Sequence, residues 1–433
     1  MSDSGEAGAR ADRRRFSARR RRRLAITVVI LALLVAAGGY VAAAATAPLP
    51  ELRAVLAVEA ETQIDADSSG AEAAVASQDL PTAIGWADGE QVWSNDDTAY
   101  PLASVSKLIT VLVCMEAQPL EPGADGPTYV WTEADVQRQN EYLAMEGVAY
   151  PIPVGTEITL RQMLQFIFLP SSNDYAAAYA YWVFGDNDAF LAAVEEWKAK
   201  HGLESLSFVE PTGMDEGNRA NAADLVRIAR LALQNPTTLE FNGMQSAEMP
   251  WGIGLIENTN PLLGEVPGVI GIKTGALGVV GYNFVLAQQA DAFGREIVNI
   301  SVTLARPTKE DRAASGREML GLMAPLPQEV EVVAEGERVG SVTTWTGETV
   351  DLVTAAGAGV VLLPGEAARR TIEQLGPVTA GAAGGTAGTV RIAAPAGAVS
   401  GEAGPVAVVT TAPIREPDLM WRLTHPAEVF GWA

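Results

Sequence analysis

The chain has 433 residues, 48% of them hydrophobic and 19% charged, with a formal charge of −23. That is enough apolar material for one large domain and a smaller one, and it excludes a disordered chain. The first 23 residues hold nine arginines, leaving 21 basic against 50 acidic residues downstream, so the nucleic-acid class, which needs a basic face, is not expected.

Arg13-Arg14-Arg15-Phe16 loosely suggests a twin-arginine signal, but more arginines precede the apolar run, which argues against one. Leu24 to Ala47 is a charge-free run of twenty-four residues, long enough to cross a bilayer with the arginine cluster left in the cytoplasm. The expectation is a single-pass anchor of the cell membrane, residues 24–47, with the rest extracytoplasmic. The alternative is a secreted chain after signal cleavage, because Ala43-Ala44-Ala45 and Ala45-Thr46-Ala47 are A-x-A-like.

Beyond the run, Val55 to Val58 reads as a first short strand and Thr62 to Gln78 as a polar surface loop. Thr82 to Trp86 and Gln91 to Trp93 flank Asp88-Gly89, a hairpin signal. It leads to Pro101-Leu102-Ala103-Ser104-Val105-Ser106-Lys107, which opens an apolar helix through Met115. Thr159 is the expected N-cap of a helix from Leu160 to Leu169, ended by Pro170. Ser171-Ser172-Asn173 forms a loop before a helix from Asp174 to about Phe184. Further helices are read over Ala189 to Lys200 and Ala222 to Leu233, the latter with Asp224, Arg227 and Arg230 on its wetter side. From Val269 the pattern becomes a strand meander, 269–275, 281–288 and 295–304, closed by a helix from about Asp311 to Met323.

Past Pro325-Leu326-Pro327, short β candidates at 329–333, 338–344, 350–353, 360–363, 389–393 and 406–411 suggest a small β-domain with a flexible Gly/Ala-rich loop at 380–388. Residues 416–432 are aromatic-rich but carry little positive charge, so they are expected to pack on that β-domain rather than on a membrane. The expected division is a basic tail 1–23, an anchor or signal segment 24–47, a catalytic domain 48–326, a β-domain 327–412 and a tail 413–433 with a short helix.

Three motifs carry chemistry. Ser104 and Lys107 stand one helical turn apart at the mouth of a core, where helix dipole and burial both favour a neutral amine able to take a proton from serine. The chain holds only five lysines against twenty-five arginines. Lysine is the basic side chain whose pKa shifts readily, so its use at position 107 is informative. Ser171-Ser172-Asn173 sits in an inter-helix loop and Lys273-Thr274-Gly275 on a strand. Alone, the second is an ordinary N-cap and the third an edge strand with a solvated lysine. Together, with two of five lysines in the two lysine slots, they are specific. Only His201 and His425 are present, which leaves a Ser-His-Asp triad few candidates and gives no support for a metal site; no cofactor is expected. Cys114 is alone, so no intrachain disulfide can form.

Roughly residues 80 to 326 resemble the serine-type D-alanyl-D-alanine carboxypeptidases, the low-molecular-mass penicillin-binding proteins of the penicillin-recognising serine peptidases. Pro101-Leu102-Ala103 before the serine, Ser171-Ser172-Asn173-Asp174 and Pro211-Thr212-Gly213-Met214-Asp215 carry that resemblance with the motifs. It implies an α+β fold: a β-lactamase/transpeptidase-like catalytic domain, an antiparallel sheet with a helical subdomain, followed by a small β-rich domain. It implies removal of the terminal D-alanine from peptidoglycan stem pentapeptides ending in D-Ala-D-Ala, with β-lactam antibiotics as covalent inhibitors. Ser104 would be the nucleophile, Lys107 its base and Ser171 a proton shuttle. Asn173, Lys273, Thr274 and Gly275 would bind substrate, with the backbone N–H groups of Ser104 and Ala276 as oxyanion hole. Lys273 would also help to keep Lys107 neutral, and Gly275 would leave room for substrate against the strand. Ala276-Leu277 stands where many relatives carry a hydroxyl residue. Two rivals are a catalytically slow penicillin-binding sensor or cell-wall scaffold, and a class A β-lactamase-like hydrolase. The latter lacks its E-x-x-L-N run between 174 and 272.

Overall fold

The computed structural model describes residues 4–278, 280–373, 375–398 and 404–432, with side chains from Arg19 onward. A helix, Ser4–Thr46, leads into two packed domains. The first is built on a five-stranded antiparallel sheet in the order Val269–Leu277, Gly281–Ala292, Arg295–Arg306, Thr82–Trp86 and Val92–Ser94. The expected meander and the Asp88-Gly89 hairpin form two parts of this one sheet.

Alternation along the second strand decides what covers each face. Phe284 and Leu286 join Ala313 and Leu320 of the helix Lys309–Met323. Val285 and Ala287 point the other way, into the main core with Ile228 and Ala229 of the helix Ala222–Gln234. Behind that face lie the helices Ser106–Ala117, Leu160–Phe168, Asn173–Phe184 and Asn187–His201. Ser106 to Met115 are all buried, so this helix is surrounded by its neighbours. Thr159 and Gln162 close a capping box on Leu160–Phe168, satisfying N–H groups that its buried start would leave unpaired.

The second domain is an eight-stranded antiparallel sheet. Here the structure departs from the expected division. Leu52–Leu56 pairs with Arg338–Thr343 and Pro377–Val378, and Glu61–Asp65 pairs with Ala367–Ile372. Residues 52–65 therefore belong to the second sheet, although 48–326 was expected to be one domain. Thr62 to Gln78, expected as a loop, contains that strand and a helix, Ser69–Ala76. Glu61–Asp65 is exposed or half-buried on both faces, so it has no apolar alternation to read; its partner strand supplies the ladder and the Arg369–Glu61 ion pair at 2.8 Å. The end of the 380–388 segment likewise enters the strand Thr386–Ala393.

Trp86, Trp93, Ile297 and Met319 of the first domain pack with Val361 and Leu363 of the second. Arg295 and Glu366 form a buried bidentate pair across this seam, at 2.6 and 2.8 Å. Two further expectations fail for long-range reasons. Asp224 is buried, accepting from the Ser205 hydroxyl at 2.5 Å, and Arg230 donates to the carbonyls of Trp86, Glu90 and Gln91. The tail forms two short helices, Leu419–Thr424 and Pro426–Phe430, that lie against the end of the Ser4–Thr46 helix.

Candidate active site

Ser104 sits in a single 3-10 turn, Ala103–Val105, directly before the helix Ser106–Ala117. Ala103 is held at φ 49°, a left-handed conformation costly for a residue with a Cβ, so the turn is fixed by its surroundings. The sheet does the fixing. The buried Asn283 donates to the carbonyls of Pro101 and Leu102 at 2.9 and 3.0 Å, and accepts from the Ala305 N–H at 2.9 Å. A Cβ at Gly275 would come within 2.7 Å of Leu102 O and 3.2 Å of Val105 N. Gly275 lines the cleft, but close packing of its strand on the Ser104 turn is itself a reason for glycine here.

Lys107 is fully buried, and its Nζ lies 2.8 Å from Ser104 Oγ, 2.5 Å from Asn173 Oδ1 and 2.8 Å from Thr212 O. Two of the three partners are carbonyls, which only accept. A neutral amine fits this environment: its two N–H groups go to Asn173 and Thr212, and its lone pair faces the Ser104 hydroxyl. Burial lowers the Lys107 pKa to about 7, against the opposing charges of Glu210 and Asp174. In water roughly one such amine in three thousand is neutral at pH 7; here about half are.

Lys273, also buried, donates to Ser171 Oγ at 2.8 Å and to Thr274 O at 3.2 Å. Burial pushes its pKa well below the ordinary lysine value, and the charges of Lys107 and Arg312 push the same way. For Lys107 itself burial, one of the two causes expected from its place at the head of an apolar helix, is the leading one. Ser171 is at φ 66°, and the turn behind it is held by Asp174. That buried carboxylate accepts from Ser172 Oγ, Gln139 Nε2 and the N–H groups of Tyr150 and Tyr175. Desolvation raises its pKa.

Ser104, Ser171, Thr274, Gly275 and Ala276 line one cleft of about 670 Å³. Val269–Leu277 is an edge strand, so alternate backbone groups along it are free of a neighbouring strand and can face this cleft. Four contributors were not foreseen, Asn283 among them. Thr259 Oγ1 is 2.6 Å from Thr274 Oγ1. Arg312 lines the cleft almost wholly buried, its Nε without a partner and its guanidinium beside the rings of Tyr282 and Phe284. Thr212 supplies its carbonyl to Lys107 from a loop that Glu210 braces through the N–H groups of Thr212 and Gly213 at 2.7 and 2.5 Å. Asn283 had a visible signal, an amide directly before the apolar run Phe284 to Ala287; Thr259 and Arg312 had none. Among the described residues, no group of three or more His, Cys, Asp or Glu side chains is placed to hold a metal.

The comparisons with known proteins decide the family. The profile of the D-alanyl-D-alanine carboxypeptidases, peptidase family S11, matches residues 91–307. The D-alanyl-D-alanine carboxypeptidase DacB2 of Mycobacterium tuberculosis is 32% identical over 239 residues, 53% of this chain and 77% of that one.

The chain belongs to the D-alanyl-D-alanine carboxypeptidase family.

This carboxypeptidase is also 27% identical to DacF of Bacillus subtilis over 271 residues, 61% of the chain and 67% of the relative. Its fold matches penicillin binding protein 5 from Haemophilus influenzae with a TM-score of 0.53 at 17% identity, over 78% of the chain and 97% of that structure. A Streptomyces DD-transpeptidase matches with a TM-score of 0.50 at 22% identity, over 56% of the chain and 95% of that structure. The shorter match leaves much of the chain uncovered; the longer extends over more than three quarters of the carboxypeptidase.

Proposed function

We propose that this carboxypeptidase cleaves the terminal D-alanine from peptidoglycan stem peptides through an acyl-enzyme on Ser104. The observation that carries the assignment is the Lys107 environment, with two carbonyl acceptors and the Ser104 hydroxyl around a buried amine. Ser104 Oγ attacks the carbonyl of the penultimate D-alanine as its proton passes to Lys107 Nζ. The oxyanion is received by the N–H groups of Ser104 and Ala276. Ser171, oriented by Lys273, relays a proton to the departing D-alanine nitrogen as the C–N bond breaks. Water then attacks the ester, gives its proton back through Lys107, and releases Ser104.

Substrate is oriented at both ends of the cleft. Asn173 serves twice, accepting from Lys107 and offering its amide N–H to the peptide backbone. The free carboxylate of the substrate is taken by Thr274 and by the charge of Arg312. Thr274 has one proton, and either hydroxyl can be the donor in its contact with Thr259; with Thr259 donating, the Thr274 proton goes to that carboxylate. β-Lactams, whose strained amide presents a carbonyl and a carboxylate at similar spacing, acylate the same serine.

The Leu24 to Ala47 segment is read as a retained anchor that holds the catalytic domain outside the cytoplasm. A run of 28 residues, Arg19–Thr46, is long and apolar enough to cross a membrane, and its large apolar side chains from Leu24 to Val41 are exposed. The test is mass spectrometry after penicillin treatment, together with D-alanine release from a pentapeptide. An adduct on Ser104 with release is expected. Labelling without release would make the protein a penicillin-binding sensor, and no adduct on Ser104 would remove the assignment.

A further inference from the structure

Pro211-Thr212-Gly213-Met214-Asp215 has so far supplied the chemistry with one carbonyl, that of Thr212. The motif lies in a loop, residues 210–218, that grips the Ser104 turn and the helix behind it at three points. The Leu102 N–H donates to Asn218 O at 2.8 Å, Thr110 Oγ1 to Pro211 O at 2.7 Å and Lys107 Nζ to Thr212 O at 2.8 Å. The loop is folded around one carboxylate. Glu210 Oε2 accepts from the Thr212 N–H and from Thr212 Oγ1, both at 2.7 Å. Its Oε1 accepts from the Gly213 N–H at 2.5 Å, with Asn218 Nδ2 and the Asp215 N–H further off at 3.3 and 3.4 Å.

The direction of one peptide group gives this arrangement a use. The Thr212–Gly213 peptide offers its carbonyl to Lys107 and its N–H to Glu210. A line of hydrogen bonds therefore runs from Ser104 Oγ to Lys107 Nζ, through the peptide, to Glu210 Oε1, with successive lengths of 2.8, 2.8 and 2.5 Å. A carboxylate at the N–H end polarises the amide and makes its carbonyl a stronger acceptor, and bonds in such a chain strengthen one another. Thr212 is completely buried, so water does not compete for that carbonyl. Gly213 sits at φ 82°, and a Cβ there would come within 1.8 Å of Ala103 O, so glycine lets this peptide lie against the turn that carries Ser104.

We propose that Glu210 is the third member of a Ser104–Lys107–Glu210 relay, a positioning residue that acts on the base through the Thr212–Gly213 peptide group. This rests on the acyl-enzyme reading above. As the bond from Ser104 Oγ to the substrate carbonyl carbon forms, the Oγ proton passes to Lys107 Nζ. The ammonium so formed is stabilised by the polarised Thr212 carbonyl and by the charge behind it; no proton crosses the peptide. The buried aspartate of a Ser-His-Asp triad does the same for an imidazolium. Burial lowers the proton affinity of Lys107, and the charge of Glu210, then that of Asp174, pushes it back up. The Lys107 charge acts in turn on Lys273, on the strand Val269–Leu277. Tyr142 and Tyr181 also face Glu210: burial first, then that charge, raises the pKa of both phenols, against the nearby Arg138. Neither phenol ionises near neutrality.

Acylation of the full chain by a penicillin, followed by rapid quench across a pH series, tests this with Glu210→Gln, which keeps the side chain's size and removes its charge. The midpoint of the rise, at about 7 in the parent, is expected to fall by about one unit. The plateau should drop by up to about tenfold, because a weaker base takes the proton. The deficit is then largest above neutrality and shrinks in acid. Glu210→Asp, which keeps the charge but draws it back from the Gly213 N–H, should fall between the two, and carries the test alone should the glutamine variant not fold. The chain has only five lysines, so NMR titration of isotope-labelled lysine side chains reads the Lys107 midpoint without substrate and should show the same order. A loss by the same factor at every pH, with the midpoint unmoved, would leave Glu210 a brace of the loop and overturn the relay, as would unaltered rates. A parent acylated on Ser104 whose variants keep its midpoint loses the relay alone. A parent with no adduct on Ser104 would remove the acyl-enzyme reading and the relay with it.

Discussion

The two domains bury very different things. The second sheet encloses an aliphatic cluster, among them Leu52, Val332, Val339, Leu352, Val390 and Val408, and among the described residues its buried polar groups are the threonines 344, 354 and 410. The first domain hides Lys107, Lys273, Ser172, Asn173, Asp174 and Asn283 inside an equally apolar core. Burying an amine or a carboxylate without an ion pair is expensive, and a domain that needs only to be stable does not do it. The second domain shows how this chain builds a fold when packing alone matters. The first departs from it around the cleft, where proton transfer is proposed, and also elsewhere, at Asp135 and Asp224.

That contrast breaks most severely if the cleft residues turn out to be dispensable. Ser104→Ala should abolish penicillin labelling and lower D-alanine release by at least about 10⁴-fold, measured as kcat/KM. Lys107→Met, which keeps the volume and removes the base, should cost about 10³-fold in the acylation rate while the thermal midpoint holds or rises, because a buried amine is replaced by an apolar group. Arg312→Met should act mainly through KM, roughly 10- to 100-fold, with a smaller loss for a substrate amidated at its C-terminus.

A pH series sharpens the comparison. The proposed mechanism makes neutral Lys107 the base, and its pKa is lowered to about 7, so acylation should rise with pH through 7 and level off above it, gaining about tenfold from pH 6 to pH 8. A profile that rises only near the ordinary lysine value of 10.5 would contradict a desolvated base. In the second domain the expected effect on catalysis is the smallest. Leu352→Ala, at a fully buried position, should lower stability by about 2–5 kcal/mol in denaturant unfolding and leave kcat/KM of the folded fraction unchanged.

Sequence alone determined what is written in short windows: the charge-free run, the helix with Ser104 and Lys107 one turn apart, the Thr159 cap, the meander, and the order of the three motifs. Each is a local pattern, because helix and strand periods repeat within a few residues. Tertiary structure decided what depends on partners far along the chain. Lys107 and Asn173 are 66 positions apart, Lys273 and Ser171 are 102, and Asn283 reaches the Ser104 turn from 181 positions away. Glu61–Asp65 became a strand because Ala367–Ile372 lay beside it, and the tail lies against the end of Ser4–Thr46. Arg312 and Thr259 carried no motif, since their significance arises only where the folded sheet edge brings them beside Thr274.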